Sequence, residues 1–387
     1  MNMNLLARLI GLASLLPAVI SATASGAAPP PHGQRIAIDP KVASLVKQAA
    51  SALKVEQYDL AIRYLTAVLA MKPEQNTASA IYAWRAGAYG RKGELNRAMD
   101  DASESIRLNP RSYRGYLERG VVYRRTGRLD KAISDYDTAV RLNPHFGRIY
   151  YDRAIAYGLK GNHNQSIHDN TEAIRLRDPD MEADFYYNRA IDYQSIAKLD
   201  KAMADYNEAL RLAPNDLRTY CGRASVFEDM GQLDKASADY NQAVQLNPRD
   251  APGYVFRGYA HFARGNYKAA AFDFEKAVRL SPRDYDALVK LAWFQATCPE
   301  DSLRNGKEAL EKSLRACELS SWQSSDVVDT LAAAYAEVGD FDKAVKYQMR
   351  AINMSGVSGL RRKEMQERLE LYRQHKPYRK ESKLRTH

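Results

Sequence analysis

Cysteine is scarce in this chain: three among 387 residues, too few for a disulfide framework. Long apolar runs are missing as well. The stretch Leu9–Ile20 is shorter than the roughly 20 apolar residues a membrane span takes, and no later stretch is apolar enough to cross a bilayer. The first cysteine is Cys221, so no lipid-anchored precursor follows that stretch. Catalytic motifs are lacking too, with no Gly-rich phosphate loop, no G-x-S-x-G elbow and no H-E-x-x-H pair. His163 and His168 stand close together, but five apart is not a one-face helical spacing. Neither carboxylate nor thiol completes a metal set beside them, so they read as solvated turn residues. Neither a metal nor a cofactor is expected. Phenylalanine is low at 9 while tyrosine is high at 25, and that imbalance is the first sign of a repeat.

What is present is otherwise ordinary for a soluble globular chain, 45% hydrophobic and 27% charged. The net charge of +10 permits an anionic partner, but it is local. Residues 359–387 hold ten Lys/Arg against four acids, and with Arg8 set aside the remainder is nearly neutral. General nucleic-acid binding is therefore not expected. At the N-terminus one basic residue, the apolar stretch and Ala22-Thr23-Ala24 follow in the order of a secretory signal peptide. The reading is a signal over 1–24, cleaved near Ala24, and a periplasmic or secreted protein, with a retained anchor as the alternative. Residues 25–41 hold four of the 15 prolines and read as a semi-extended linker.

A period of about 34 residues runs through the rest. Pro73, Pro110, Pro144, Pro179, Pro214, Pro248 and Pro282 lie 34 to 37 apart, and each marks a helix end because proline cannot continue a helix. Gly93, Gly127, Gly161, Gly231 and Gly265 recur about 17 residues earlier, where a helix C-cap needs positive φ. Tyr82, Tyr116, Tyr150, Tyr186, Tyr220 and Tyr254 are each followed three residues on by Arg, from Arg85 to Arg257, and then by Ala or Gly. A second set of small residues, Ala98, Ala132, Ser166, Ala202, Ala236 and Ala270, precedes Asp101, Asp135, Asp169, Asp205, Asp239 and Asp273 by three. Small residues let two helices approach while a flat ring fills the wedge beside them. Each unit therefore reads as helix, Gly turn, helix, Pro stop.

This pattern resembles the tetratricopeptide repeat, a 34-residue helix pair with aromatic, small and proline marks in that order. The resemblance implies an all-α, right-handed superhelical solenoid of about nine helix pairs over 42–358, a capping helix at 359–374 and a basic disordered tail at 375–387. The eighth unit departs most, with a long turn at 298–306 before its second helix resumes at Ala309. Such an array has no separate catalytic core, so the expected function is a non-catalytic scaffold or adaptor. The alternative is docking on an anionic membrane surface or polymer through the basic tail.

The Arg and Asp series read as ion pairs between the helices of a unit, and Cys298 and Cys317 as buried free thiols. The opposite face of each first helix, which in this family lines a groove for a peptide, is the candidate binding surface. The resemblance maps it onto Arg114, Leu117, Val121, Arg124 and Arg125, then Arg148, Tyr151 and Ile155, then Tyr187 and Ile191, and later Tyr259 and Trp293. That face is basic early and acidic late, the late acids being Glu228, Asp229, Asp326, Asp329 and Glu337. The expected partner is a protein, held by a peptide segment, and any membrane association would be peripheral.

Overall fold

The punctuating residues fall where helices stop. The structure is a computed structural model that describes residues 39–178, 181–354, 357 and 359–380. Within them lie nineteen α-helices, one short 3-10 turn and no strand. In chain order the helices are α1 (Pro40–Lys54), α2 (Tyr58–Ala70), α3 (Gln75–Lys92), α4 (Leu95–Leu108), α5 (Tyr113–Arg125), α6 (Leu129–Leu142), α7 (Gly147–Leu159), α8 (His163–Leu176), α9 (Glu182–Ser195) and α10 (Leu199–Leu212). They continue as α11 (Leu217–Asp229), α12 (Leu233–Leu246), α13 (Ala251–Ala263), α14 (Tyr267–Leu280), α15 (Tyr285–Thr297), α16 (Gly306–Leu319), α17 (Ser325–Glu337), α18 (Phe341–Ile352) and α19 (Gly359–Arg373). Consecutive helices pair, odd with even, up to α18. The chain divides into two compact units between Pro214 and Asn215.

In the first unit α1 begins earlier than the composition suggests. Asp39 caps it by accepting from the Lys41 N–H at 2.7 Å, and Pro40 occupies the first helical position. Pro40 and Lys41 therefore belong to the helix and not to the linker. The expected signal peptide and the remainder of the linker lie outside the described residues. Gly93, Gly127 and Gly161 turn the second, third and fourth pairs at φ between 73° and 91°, and Glu56 in the first pair and Ala197 in the fifth take the same left-handed conformation at φ 58° and 56°. Between paired helices the small residues permit close approach. A Cβ added at Gly120 would lie 2.5 Å from the Tyr136 ring, which fills the wedge completely buried.

The Arg–Asp series forms a regular ladder. Arg85, Arg119, Arg153 and Arg189 each donate Nε and Nη2 to the two carboxylate oxygens of Asp101, Asp135, Asp169 and Asp205, at 2.7–2.8 Å. Each guanidinium also lies 5.3–5.5 Å from the ring of the Tyr three residues before it. One side chain thus ties the two helices of a pair by a bidentate bond and covers an aromatic face.

The second unit repeats the device with Arg223–Asp239 and Arg257–Asp273, again at 2.7–2.8 Å. Its eighth pair carries the long turn, which contains the 3-10 segment Asp301–Leu303, and α16 resumes at Gly306, three residues before the expected Ala309. Asn305 caps α16 by accepting from the Glu308 N–H at 3.1 Å. Cys298 and Cys317 are buried free thiols in separate core clusters, as is Cys221 in a third. Burial pushes Cys221 and Cys317 up to about 12, which leaves them unreactive thiols. The last pair would expose an apolar edge, and α19 covers it with Met365, Leu369 and Tyr372, all buried.

One expectation fails here. Residues 375–380 are not a disordered tail. After α19 the chain turns back onto the first helices of the last two pairs, where the Lys380 N–H donates to the Thr297 carbonyl at 2.9 Å and Tyr378 packs on Trp293. Residues 381–387 lie outside the described residues.

Candidate functional site

In the first unit the exposed side of the first helices α3, α5, α7 and α9 carries most of the expected residues, but not all of them face solvent. Leu117 is 1% exposed and belongs to the core with Ile149 and Tyr136. It is a packing residue, because α5 turns it beneath the α5–α7 contact. Arg114 lies flat among three rings, 5.7 Å from Trp84, 5.8 Å from Tyr113 and 5.7 Å from Phe146. Tyr151, half-buried, packs on Phe185 with ring centroids 5.3 Å apart, and Tyr187 stands edge-on to Tyr206 at 5.9 Å. Val121 and Ile155 are half-buried, and Ile191 is exposed.

Arg124, Arg125 and Arg148 converge between α3, α5 and α7. Arg124 and Arg148 both bond the buried Asp152, at 3.0 and 3.3 Å. Burial alone would lower the Arg148 pKa, yet the Asp152 and Glu118 charges hold it above its ordinary value. Arg125, an exposed residue, donates Nη1 to the Gly90 carbonyl. Arg125 and Arg148 line a cavity of about 360 Å³ together with Gly87, Gly90, Arg91, Glu118 and Val121.

Sequence reasoning missed Glu118, Asp152 and Arg91. A signal was available: Glu118 and Asp152 share one register position 34 residues apart, as do Arg91 and Arg125. The histidine reading also changes. His163 Nδ1 lies 2.9 Å from an oxygen of Asp192, a carboxylate from the next first helix, whose other oxygen accepts from Ser166. This is a polar clasp between α8 and α9, and His163 is not a solvated turn residue. His168 remains largely exposed.

In the second unit Tyr259 is 36% exposed and packs its edge on Phe274, with the Lys290 ammonium 5.3 Å from its ring centroid. Trp293 is not open. Tyr378 and the Arg368 guanidinium lie 5.9 and 5.3 Å from it. Of the late acids, those of α17 are likewise covered by the chain's own C-terminal segment, whereas Glu228 on α11 accepts from the Tyr240 hydroxyl at 3.2 Å. Asp326 pairs with Arg361, buried Asp329 with Arg368 at 2.8 Å, and Glu337 with Arg379 at 2.7 Å. Three α17 acids that look available in the sequence are thus already neutralised.

Models of the tetratricopeptide repeat match residues 113–146, 182–216, 221–285 and 327–356. No curated protein matches the sequence. Among solved structures, a tetratricopeptide repeat protein from Parabacteroides merdae is 21% identical with a TM-score of 0.51, over 65% of this chain and 98% of that one. The Cut9–Hcn1 hetero-tetramer of APC/C is 17% identical at 0.56, over 76% of this chain and 55% of that one. The human IFIT1 dimer with PPP-AAAA is 15% identical at 0.53, over 81% and 83%. With 34-residue helix pairs, glycine turns, proline stops and small–aromatic wedges in both units, the chain belongs to the tetratricopeptide repeat family.

Proposed function

We propose that this protein is a non-catalytic scaffold that binds an extended peptide segment of a protein partner along its first-helix face. The observation that carries this reading is the chain's own behaviour in the second unit. Residues 376–380 lie extended across first helices α15 and α17, with a backbone bond to Thr297, an aromatic contact to Trp293 and the Arg379–Glu337 ion pair. Backbone bonds supply affinity and side-chain contacts supply selection, the usual division in peptide recognition. The docking alternative draws on the basic tail at 375–387, of which Arg379 is spent on Glu337 of α17, as Arg361 and Arg368 of the adjoining α19 are spent on Asp326 and Asp329.

Photoreactive residues placed at Ile191 and Tyr259, on first helices, test this reading against Phe272, exposed on second helix α14. In native extract, the first two positions crosslink one discrete partner segment and the third does not. Equal crosslinking from all three overturns the reading. We also propose export, from the basic, apolar and Ala-Thr-Ala order of residues 8–24. N-terminal sequencing of the mature protein then begins at Ser25, whereas an intact Met1 in exported fractions overturns cleavage.

A further inference from the structure

The cavity between α3, α5 and α7 is built for something that the protein itself does not supply. Arg91, Arg125 and Arg148 line it, with Glu118 as the acid on its wall. Behind it Asp152 is shared by Arg124 and Arg148. Four guanidinium groups against two carboxylates leave an excess of two positive charges around one concavity. Arg91 bonds nothing stronger than the Gly87 carbonyl of its own helix, at 3.4 Å. Crowding by surrounding protein first, and the Arg148 charge second, hold it below its ordinary pKa, although its side chain still reaches solvent. A side chain in a concavity can be both wet and surrounded, and there an unpaired cation is costly.

Room has been kept beside these arginines. Gly87 and Gly90 stand one turn apart inside α3, where glycine costs about 0.5–1 kcal/mol relative to alanine. A Cβ at Gly87 would press on the Glu118 carboxyl at 3.2 Å, but a Cβ at Gly90 would meet nothing within 4 Å. Packing does not explain Gly90, whereas an open cavity wall does. At the other end of the chain, Glu337 of the first-helix face is met by Arg379 of an extended segment. The basic cavity is the complement of that arrangement.

We infer that this cavity is a subsite for acidic side chains, Asp or Glu, of a partner peptide. It rests on the peptide-binding reading above and names the chemistry of the ligand. Guanidinium groups bond carboxylates through two parallel N–H donors. Arg125 and Arg91 present such donors at the cavity mouth, while Arg148 is held in place by Asp152.

The test uses the full-length chain and a displayed library of random twelve-residue peptides. Recovered peptides are synthesised with a fluorescent label and titrated by anisotropy against the wild type, Arg125→Glu, Gly90→Leu and Arg141→Glu. Arg125→Glu inverts one charge at the mouth, and Gly90→Leu fills the open wall without changing charge. Arg141→Glu makes the same charge change on the exposed second helix α6. Far-UV circular dichroism checks that each variant is folded. The expected result is that recovered peptides carry Asp or Glu, and that both cavity variants weaken them about tenfold or more, the scale of one charge-assisted hydrogen bond. Arg141→Glu changes binding less than threefold. Peptides that lack acids, or that bind the cavity variants as tightly as the wild type, overturn the subsite and leave the peptide-binding reading standing. Recovery of no peptide overturns that reading itself, and the subsite with it.

Discussion

At Ala197 a residue with a Cβ adopts, at φ 56°, the left-handed turn that glycine fills in six of the pairs. Left-handed backbone costs an L-residue roughly 1 kcal/mol that glycine avoids. Ala197→Gly is therefore expected to stabilise the first unit by about 0.5–1 kcal/mol, read as a shift in urea midpoint, even though glycine is more flexible when unfolded. Gly120 gives the opposite sign. Its turn of α5 faces Tyr136 so closely that Gly120→Ala puts a Cβ 2.5 Å from the ring. Overpacking of this kind costs about 1–3 kcal/mol, and the same urea titration reads it as a loss. A wild-type midpoint would mean that Tyr136 has room to withdraw. Gly120 was legible in the sequence as a mark of the repeat, because a small residue recurs at its register. Leu117 was not, since an apolar residue four before Val121 fits a core stripe and a surface stripe equally well.

At the level of the helix pair, the Arg–Asp ladder was fully readable: an arginine and an aspartate sixteen apart, six times over, leave few other partners. Its strength follows from burial. Asp169 has a side chain 2% exposed, and Arg153 holds both it and Asp137. Exposed ion pairs contribute about 0–1 kcal/mol, but removing one partner of a buried pair costs about 3–5. Arg153→Ala is expected near the upper range in chemical denaturation, with hydrogen exchange accelerated in α7 and α8. Arg223→Ala, whose partner Asp239 is buried less completely at 10% side-chain exposure, costs less. Equal losses would mean that burial does not set the ladder's worth. The His163–Asp192 clasp could not be read in this way. It links a second helix to the following first helix at a separation of 29, and among the described residues it occurs once where the ladder recurs. Glu118 and Asp152 were hidden for a related reason. A repeat alignment gives weight to positions that stay constant, and theirs varies from pair to pair.

At the scale of the molecule, the period ends with the ninth pair, and with it ends what the sequence says about position. The C-terminal segment looks like a charged tail because its ten bases meet only four acids within itself. Its partners are on α17, about forty residues earlier, and no local pattern reports them. The segment has two parts with different work. α19 buries Met365 and Tyr372 and gives Asp329 its guanidinium, so deletion of 359–387 leaves a buried carboxylate facing only Gln348 and uncovers the apolar edge. Residues 376–387 contribute Tyr378 and Arg379 to the first-helix face, while Glu337 keeps Arg304 at 2.9 Å without them. Deletion from Gly359 is therefore expected to destabilise the second unit by more than 3 kcal/mol, with loss of soluble protein. Deletion from Lys376 leaves the helices intact and shifts tryptophan emission to the red as Trp293 loses its Tyr378 cover. Denaturation followed by far-UV circular dichroism, beside fluorescence spectra of both truncations, separates the two. If the shorter deletion unfolds the second unit as the longer one does, residues 376–380 are part of its core and not an occupant of its binding face.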